Sequence, residues 1–322
     1  MSAVFTKIKE HKKFFQRKSQ VFLIYGFLLA LMIVSGFMNQ YFFTAGNFKN
    51  LVTTSLPYIL AAFGQTLVII TGGIDLSIGS IVSVANVICA ALMNQSFGGF
   101  MAGITTAIAA GIAVGAVNGI LITKGMIQPI IVTLATQTAV SGAALAILNA
   151  PGGTTNFNFA KAMSGKFAGI PVPLLLLIIV TVCMWILLNK TRFGTSVYAI
   201  GGNEDAAYST GINVGRRKIA VYIISGFLSA LAGIFLASQM YSGDPRVGVN
   251  LTMTSITTVV VGGTALSGGK GGIIGTLSGV FILVIINNLL NLINVSSFYQ
   301  YVLQGGILIL AISIGSIKTR RL

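Results

Sequence analysis

Charge is what this sequence has least of, and negative charge above all. Only 8% of its 322 residues are Asp, Glu, Lys or Arg, and the five acidic ones are Glu10, Asp75, Glu204, Asp205 and Asp244. A soluble domain carries about 25% charged residues, so an ordinary globular protein is excluded. Histidine occurs once, as His11 in the N-terminal stretch. With no nucleophile–base pair and no cluster of metal-ligating side chains, an enzyme is not expected. The two cysteines, Cys89 and Cys183, both fall inside apolar runs, so there is no disulfide framework. The apolar runs carry almost no charge. That argues against a proton- or ion-driven carrier, which needs buried carboxylates or histidines. Short alternating segments, the mark of a membrane β-barrel, are absent too.

What is present is apolar length. Hydrophobic residues make up 55% of the chain, and mean hydropathy is +0.91. Many runs reach roughly 18 residues or more, enough to cross a bilayer core of about 30 Å. The fold class is therefore an all-α polytopic membrane protein. Ten spans are expected, at about 21–38, 56–70, 77–93, 100–122, 128–148, 171–188, 219–240, 251–266, 273–293 and 299–317. Residues 39–55 read as an outer interfacial segment. The plan is a basic cytoplasmic tail (1–20), one transmembrane domain (21–317) and a short cytoplasmic tail (318–322). Ten spans put both termini in the cytoplasm. On that topology only Lys49, Lys161, Lys166 and Arg246 of the 20 basic residues lie outside, the asymmetry expected of cytoplasmic loops. The net charge of +15 is spread over span ends rather than one surface, so nucleic acid is not an expected partner and the lipid bilayer is.

The one long polar passage is Asn189 to Lys218, fenced by Lys190 and Arg192 at one end and Arg216, Arg217 and Lys218 at the other. Within this cytoplasmic loop, Asn203 suits a helix N-cap, Glu204 and Asp205 suit the positive end of a helix dipole, and Gly211 suits a stop. A short helix over Glu204–Thr210 follows, and a small structured element there is expected to dock another protein.

Asp75 lies in TGGIDLSIGS, between the second and third spans. It is either a functional intramembrane acid or part of a cap. In the capping reading, which is preferred, Gly72 and Gly73 make the turn and Asp75 or Ser77 caps the third span. The turn GGTALSGGKGGIIG (Gly262–Gly275) fails the phosphate-loop pattern, because Thr264 and Gly271 stand where Gly and Ser or Thr are needed. No ATP site is expected on this chain. Glycines at four-residue spacing, Gly111–Gly115–Gly119 and Gly271–Gly275–Gly279, read as close helix packing. Gln65, Asn86, Asn118, Gln137, Asn287, Asn288 and Asn291 are amides within spans. They either hydrogen-bond between helices or line a path, where amides suit a neutral polyhydroxyl solute because each both donates and accepts.

Five stretches, VIITGGIDLSIGS (68–80), YAIGGNEDAAYSTGINV (198–214), YIISGFLSALAGI (222–234), VVVGGTALSGGKGGIIGTLSGV (259–280) and NNLLNLINVSSFYQ (287–300), resemble the permease subunits of ribose-type ABC sugar importers. The resemblance runs in order from about 51 to 310. It implies a type II importer-like permease in a bacterial plasma (inner) membrane, with no cofactor of its own. A cytoplasmic ABC ATPase would supply the ATP and Mg chemistry and bind the loop of Gly201, Gly202, Asn203, Glu204, Asp205, Ala206, Ala207, Gly211 and Ile212. An extracytoplasmic solute-binding protein would deliver a pentose, hexose or similar solute. A second permease copy or a paralogue would complete the pore. Nucleoside, autoinducer-2 and branched-chain amino acid permeases of the same superfamily are the nearest alternatives, and a stand-alone secondary carrier is the alternative from another class. One departure stands out: Thr252 and Thr254 occupy positions where members often carry acids. It implies a divergent solute or pairing with a different permease.

Overall fold

The computed structural model describes residues 24–320. The basic tail, the first residues of the first expected span and the last two residues lie outside the described part. In chain order the helices are α1 (Ile24–Met38), α2 (Ala45–Ile70), α3 (Ile78–Leu92), α4 (Phe97–Thr123), α5 (Pro129–Ile147), α6 (Phe157–Ser164), α7 (Val172–Lys190), α8 (Arg192–Gly202), α9 (Glu204–Ser209), α10 (Val214–Met240), α11 (Val249–Val261), α12 (Ile273–Leu292) and α13 (Ser297–Arg320). A two-strand antiparallel hairpin, β1 (Lys166–Phe167) and β2 (Ile170–Pro171), precedes α7.

Each of the ten expected spans overlaps a helix, but among the described residues six helices are both long and apolar enough to cross a membrane: α2, α4, α5, α7, α10 and α12. Two boundaries differ in an informative way. The second span was expected from 56, with an interfacial segment before it. Instead α2 starts at Ala45, because the hydroxyl of Thr44 caps it by accepting from the Asn47 amide, and the helix runs on through Pro57. The eighth expected span shortens to α11. With 15 and 13 residues, α3 and α11 measure about 22 and 20 Å at 1.5 Å per residue, short of a bilayer core.

These two half-helices meet start to start. Gly79 and Gly248 pack backbone against backbone. The Gly79 N–H donates to Thr252 Oγ1 of α11 (3.0 Å), and the Gly248 N–H donates to Ser83 Oγ of α3 (3.0 Å). Each half-helix thus caps the other, which satisfies backbone groups that lipid could not.

One plan is repeated around this joint. A long helix, a returning turn, a half-helix and another long helix make α2–α3–α4, and the same series makes α10–α11–α12. The series exchange partners, α2 packing on α12 and α10 on α4. They run in opposite senses, since α2 ends and α10 begins at the same end of the bundle, the end that holds α8 and α9. This is the plan of an inverted repeat. At the centre, 83% of the apolar window of α2 is buried, against 17% for the peripheral α5. Outer faces carry apolar side chains such as Ile130, Ile131 and Leu134 on α5 and Ile178, Ile179 and Val182 on α7, as contact with acyl chains requires.

The first glycine ladder packs as expected. Gly111, Gly115 and Gly119 lie on α10 against Gly226, Tyr222 and Ile219. The second is split by its own geometry: Gly275 and Gly279 pack on Gly262, which caps the end of α11, and on Thr258 of α11, whereas Gly271 has φ +137° and belongs to the turn.

Candidate functional site

The polar passage is mostly helical. It folds as the end of α7, then α8, α9 and the start of α10. Helix α9 spans Glu204–Ser209, one residue shorter than expected, with Asn203 Oδ1 accepting from the Ala206 N–H at 2.9 Å. Gly211 has φ +84°, and its N–H and that of Ile212 return to the carbonyls of Tyr208 and Ala207. The chain then re-enters helix at once, because Asn213 Oδ1 accepts from the Arg216 N–H (3.0 Å). Lys218 Nζ bonds Glu204 Oε2 at 2.6 Å and clamps α9 to α10. Gly201 sits so close to the Ile70 carbonyl and the Gly269 N–H that no Cβ fits, which fastens α8 to the end of α2 and to the 262–272 turn. Ala207 faces inward. Glu204, Asp205 and Ala206 face out, and so does Tyr208, which is 73% exposed. Sequence reading passed over Tyr208. The signal was there: an aromatic on a capped helix with one buried side. A cleft of about 430 Å³ beside α9 is lined by Met126 and Ile127 of the α4–α5 turn, by Pro129 at the start of α5, and by Glu204 and Lys218.

At the opposite end, α2, α12 and α13 enclose a pocket of about 150 Å³. Asn50, Thr54 and Tyr58 come from α2, Asn287, Asn288 and Asn291 from α12, and Gln300 from α13. Neighbouring amides hold this wall in place. Asn47 and Asn288 bond reciprocally (3.1 and 2.8 Å), Gln300 Nε2 donates to Asn291 Oδ1 (2.7 Å), and Gln304 Nε2 donates to Asn287 Oδ1 (3.3 Å). Among the described residues, no charged side chain lines the pocket.

The structure does not bring the remaining amides here. Asn86 receives the Asp244 N–H (2.7 Å) and donates to the Gly233 carbonyl (3.4 Å). Asn118 Nδ2 donates to Ser77 Oγ (2.9 Å). Both do the interhelical work that was the alternative reading. Gln137 is half-buried on α5. Gln65 is fully buried on α2, and neither of its amide atoms has a partner among the described residues.

The corner between α2 and α3 is the third locus. Gly72 supplies φ +82°. The carboxylate of Asp75 is fully buried and accepts three hydrogen bonds: from the Ser77 N–H (2.9 Å), the Ser77 hydroxyl (2.6 Å) and the Ser225 hydroxyl of α10 (2.9 Å). The expected cap is thus only half right. Asp75 closes a turn onto Ser77, but the Ser77 side chain makes no capping bond to α3. The hydroxyl that accepts from the first turn of α3 is that of Thr252, 173 residues away.

A family model described as "Branched-chain amino acid transport system / permease component" matches residues 47–312. The chain belongs to this permease family. The ribose import permease protein RbsC of Bacillus subtilis is 42% identical over 88% of this chain and 89% of its own. RbsC of Escherichia coli K12 is 37% identical over 90% and 92%, and the D-allose transport system permease protein AlsC of E. coli K12 is 33% identical over 89% of each. No solved structure matches. In this permease the two unusual threonines have structural partners. Thr252 bonds Gly79 N and the Leu76 carbonyl, and Thr254 bonds the Asn250 carbonyl (2.8 Å) and Gln304 Oε1 (3.4 Å). A carboxylate at 252 would put a second negative charge into the corner that already holds Asp75.

Proposed function

We propose that this permease is the membrane-spanning subunit of an ATP-driven importer for a monosaccharide, a ribose-like pentose or a hexose. What carries the reading is similarity along nearly the whole chain to permeases named for ribose and allose import. The amide-lined pocket supports it chemically: Asn287 and Asn291, with the added Asn50 and Gln300, offer donors and acceptors to hydroxyl groups and no charge. A branched-chain amino acid, which the family description names, is a zwitterion and calls for charged partners that the pocket lacks.

In this reading the chain crosses the bacterial plasma membrane ten times with both termini in the cytoplasm. The half-helices α3 and α11 cross only together with their returning turns. The loop from Gly201 to Ile212 receives the ATPase, which holds ATP and Mg; α9 is its exposed element. A solute-binding protein meets the pocket end, and a second permease copy or paralogue closes the pathway. Movement of α9 on ATP hydrolysis switches access from one face to the other.

The test is reconstitution in proteoliposomes with the ATPase and binding protein from the same cells. Labelled ribose should accumulate only with ATP, and unlabelled allose or arabinose should compete if the pocket reads hydroxyls broadly. Equilibration of ribose by the chain alone, without ATP, would make it a secondary carrier and overturn the reading.

A further inference from the structure

We infer that Asp75 is a latch with two partners on α10, engaged with Ser225 in this structure and exchanging to Tyr222 when α10 shifts. The latch would carry movement of α9 to the joint between α3 and α11, and to that extent it rests on the coupling role proposed for α9.

A charged side chain at membrane depth is costly and marks function by default. Asp75 lies at that depth, because its partner Ser225 is near the middle of the 27-residue α10 and packs on Gly64, well inside the buried part of α2. No cation neutralises it. Among the described residues the one ion pair is Lys218–Glu204. Its compensation is the start of α3, where a helix dipole favours an anion, and three donors. Forming the corner needs only the two from Ser77. The third, from Ser225, crosses to a helix 150 residues away, so it ties the corner to something that could move.

That helix is the one α9 controls. Only four residues separate α9 from α10, and Lys218–Glu204 clamps them together. A displaced α9 therefore displaces α10. From Ser225 the contacts run without a gap through Asp75 and Ser77 to Gly79, and from Gly79 to Gly248 and Thr252 at the start of α11. Both half-helices thus hang on one carboxylate.

The second partner is already in place. Tyr222 is one turn before Ser225 on the same face of α10. Its side chain is 1% exposed, and its hydroxyl has no hydrogen-bond partner among the described residues. That hydroxyl lies against Gly73, two residues before Asp75: a Cβ on Gly73 would stand 2.6 Å from it. A buried hydroxyl left unsatisfied is unfavourable in this state, and an axial shift of α10 would bring it to the carboxylate. Coupling needs an element with two arrangements that both sites bias. Ser225 and Tyr222 provide the two arrangements.

The test uses the complete reconstituted importer with three variants, Tyr222→Phe, Ser225→Ala and Asp75→Asn, reading labelled ribose taken up per ATP hydrolysed and the melting midpoint of the purified permease. Tyr222→Phe discriminates best. As a packing residue, its loss of an unpartnered hydroxyl would leave both readings unchanged or raise the midpoint. As the second latch partner, it should lower uptake per ATP at least fivefold with the midpoint unchanged or raised. Ser225→Ala should lower the ratio similarly, and the Ser225→Ala/Tyr222→Phe pair should be no worse than Asp75→Asn. Wild-type uptake per ATP in Tyr222→Phe overturns the latch, and so does a ratio that falls only in proportion to a falling midpoint. Absence of ATP-driven uptake in the unaltered importer would instead overturn the coupling reading beneath it.

Discussion

Gly79 shows how little freedom single residues have at the joint. A Cβ there would run into the Gly248 carbonyl and stand 2.5 Å from Thr252 Oγ1. Both neighbours are held by the reciprocal caps, so neither can retreat. Gly79→Ala should therefore cost about 1–3 kcal/mol, as overpacking does in a filled core. Gly98→Ala, where nothing lies within 4 Å, should cost nothing. Thermal unfolding of the two purified variants checks this, and equal midpoints would contradict the packing described here. At this scale the sequence was half legible. TGGIDLSIGS announces a turn with an acid in it, because glycine, Asx and Ser preferences act over a few residues. The partners Ser225 and Thr252 were not legible, since each is brought there only by the tertiary fold.

At the scale of elements, α9 was the most readable part of the chain and α2 and α11 the least. Capping is local, so Asn203, Glu204, Asp205 and Gly211 placed α9 to within one residue. The early start of α2 was hidden by the polar run 45–55. Its amide Asn47 faces Asn288 of a helix 241 residues on, so a residue that looks interfacial is a helix-packing residue. The shortness of α11 was hidden because its composition is as apolar as a span. The exposed face of α9 also sharpens the test of docking. Reversing Glu204 would break its bond to Lys218 and unclamp α9 from α10, mixing two effects. Asp205 and Tyr208 are exposed and leave that clamp intact. Tyr208→Ala should weaken capture of the ATPase at least tenfold, as loss of an aromatic anchor of about 2 kcal/mol or more does. Asp205→Arg should abolish capture while expression and the melting midpoint stay unchanged. Co-purification of the ATPase with each variant measures both effects, and undiminished capture by Tyr208→Ala together with Asp205→Arg would move the dock elsewhere.

For the whole molecule, the two repeated series arranged around the joint decide which turns share an end of the bundle. The 262–272 turn lies beside Gly201 at the α9 end, whereas the 241–248 turn pairs with Gly152 at the other end, where Gly152 and Gly243 exchange both backbone hydrogen bonds. Lys270 and Arg246 are exposed in these two turns, and in the proposed ten-span reading they lie on opposite sides of the membrane, although α11 between them has only 13 residues. Hydropathy treats α11 as one whole span and so expects the same change of side on different grounds. In that reading the crossing is completed by the chain that returns from 241 to the joint, where the buried Gly243, Pro245 and Gly248 tie it to the bundle and non-helical backbone at membrane depth has to be shielded. Cysteines placed singly at 246 and 270, in a chain with Cys183 replaced by Ser and buried Cys89 left in place, make this testable in intact cells. A membrane-impermeant maleimide should label position 246 from outside and position 270 only after permeabilisation. The reverse pattern would invert the orientation and put α9 beyond the reach of any cytoplasmic ATPase. Labelling of both from one side would mean that α11 and its turn do not cross at all, and the two half-helices could not then meet as Gly79 and Gly248 do.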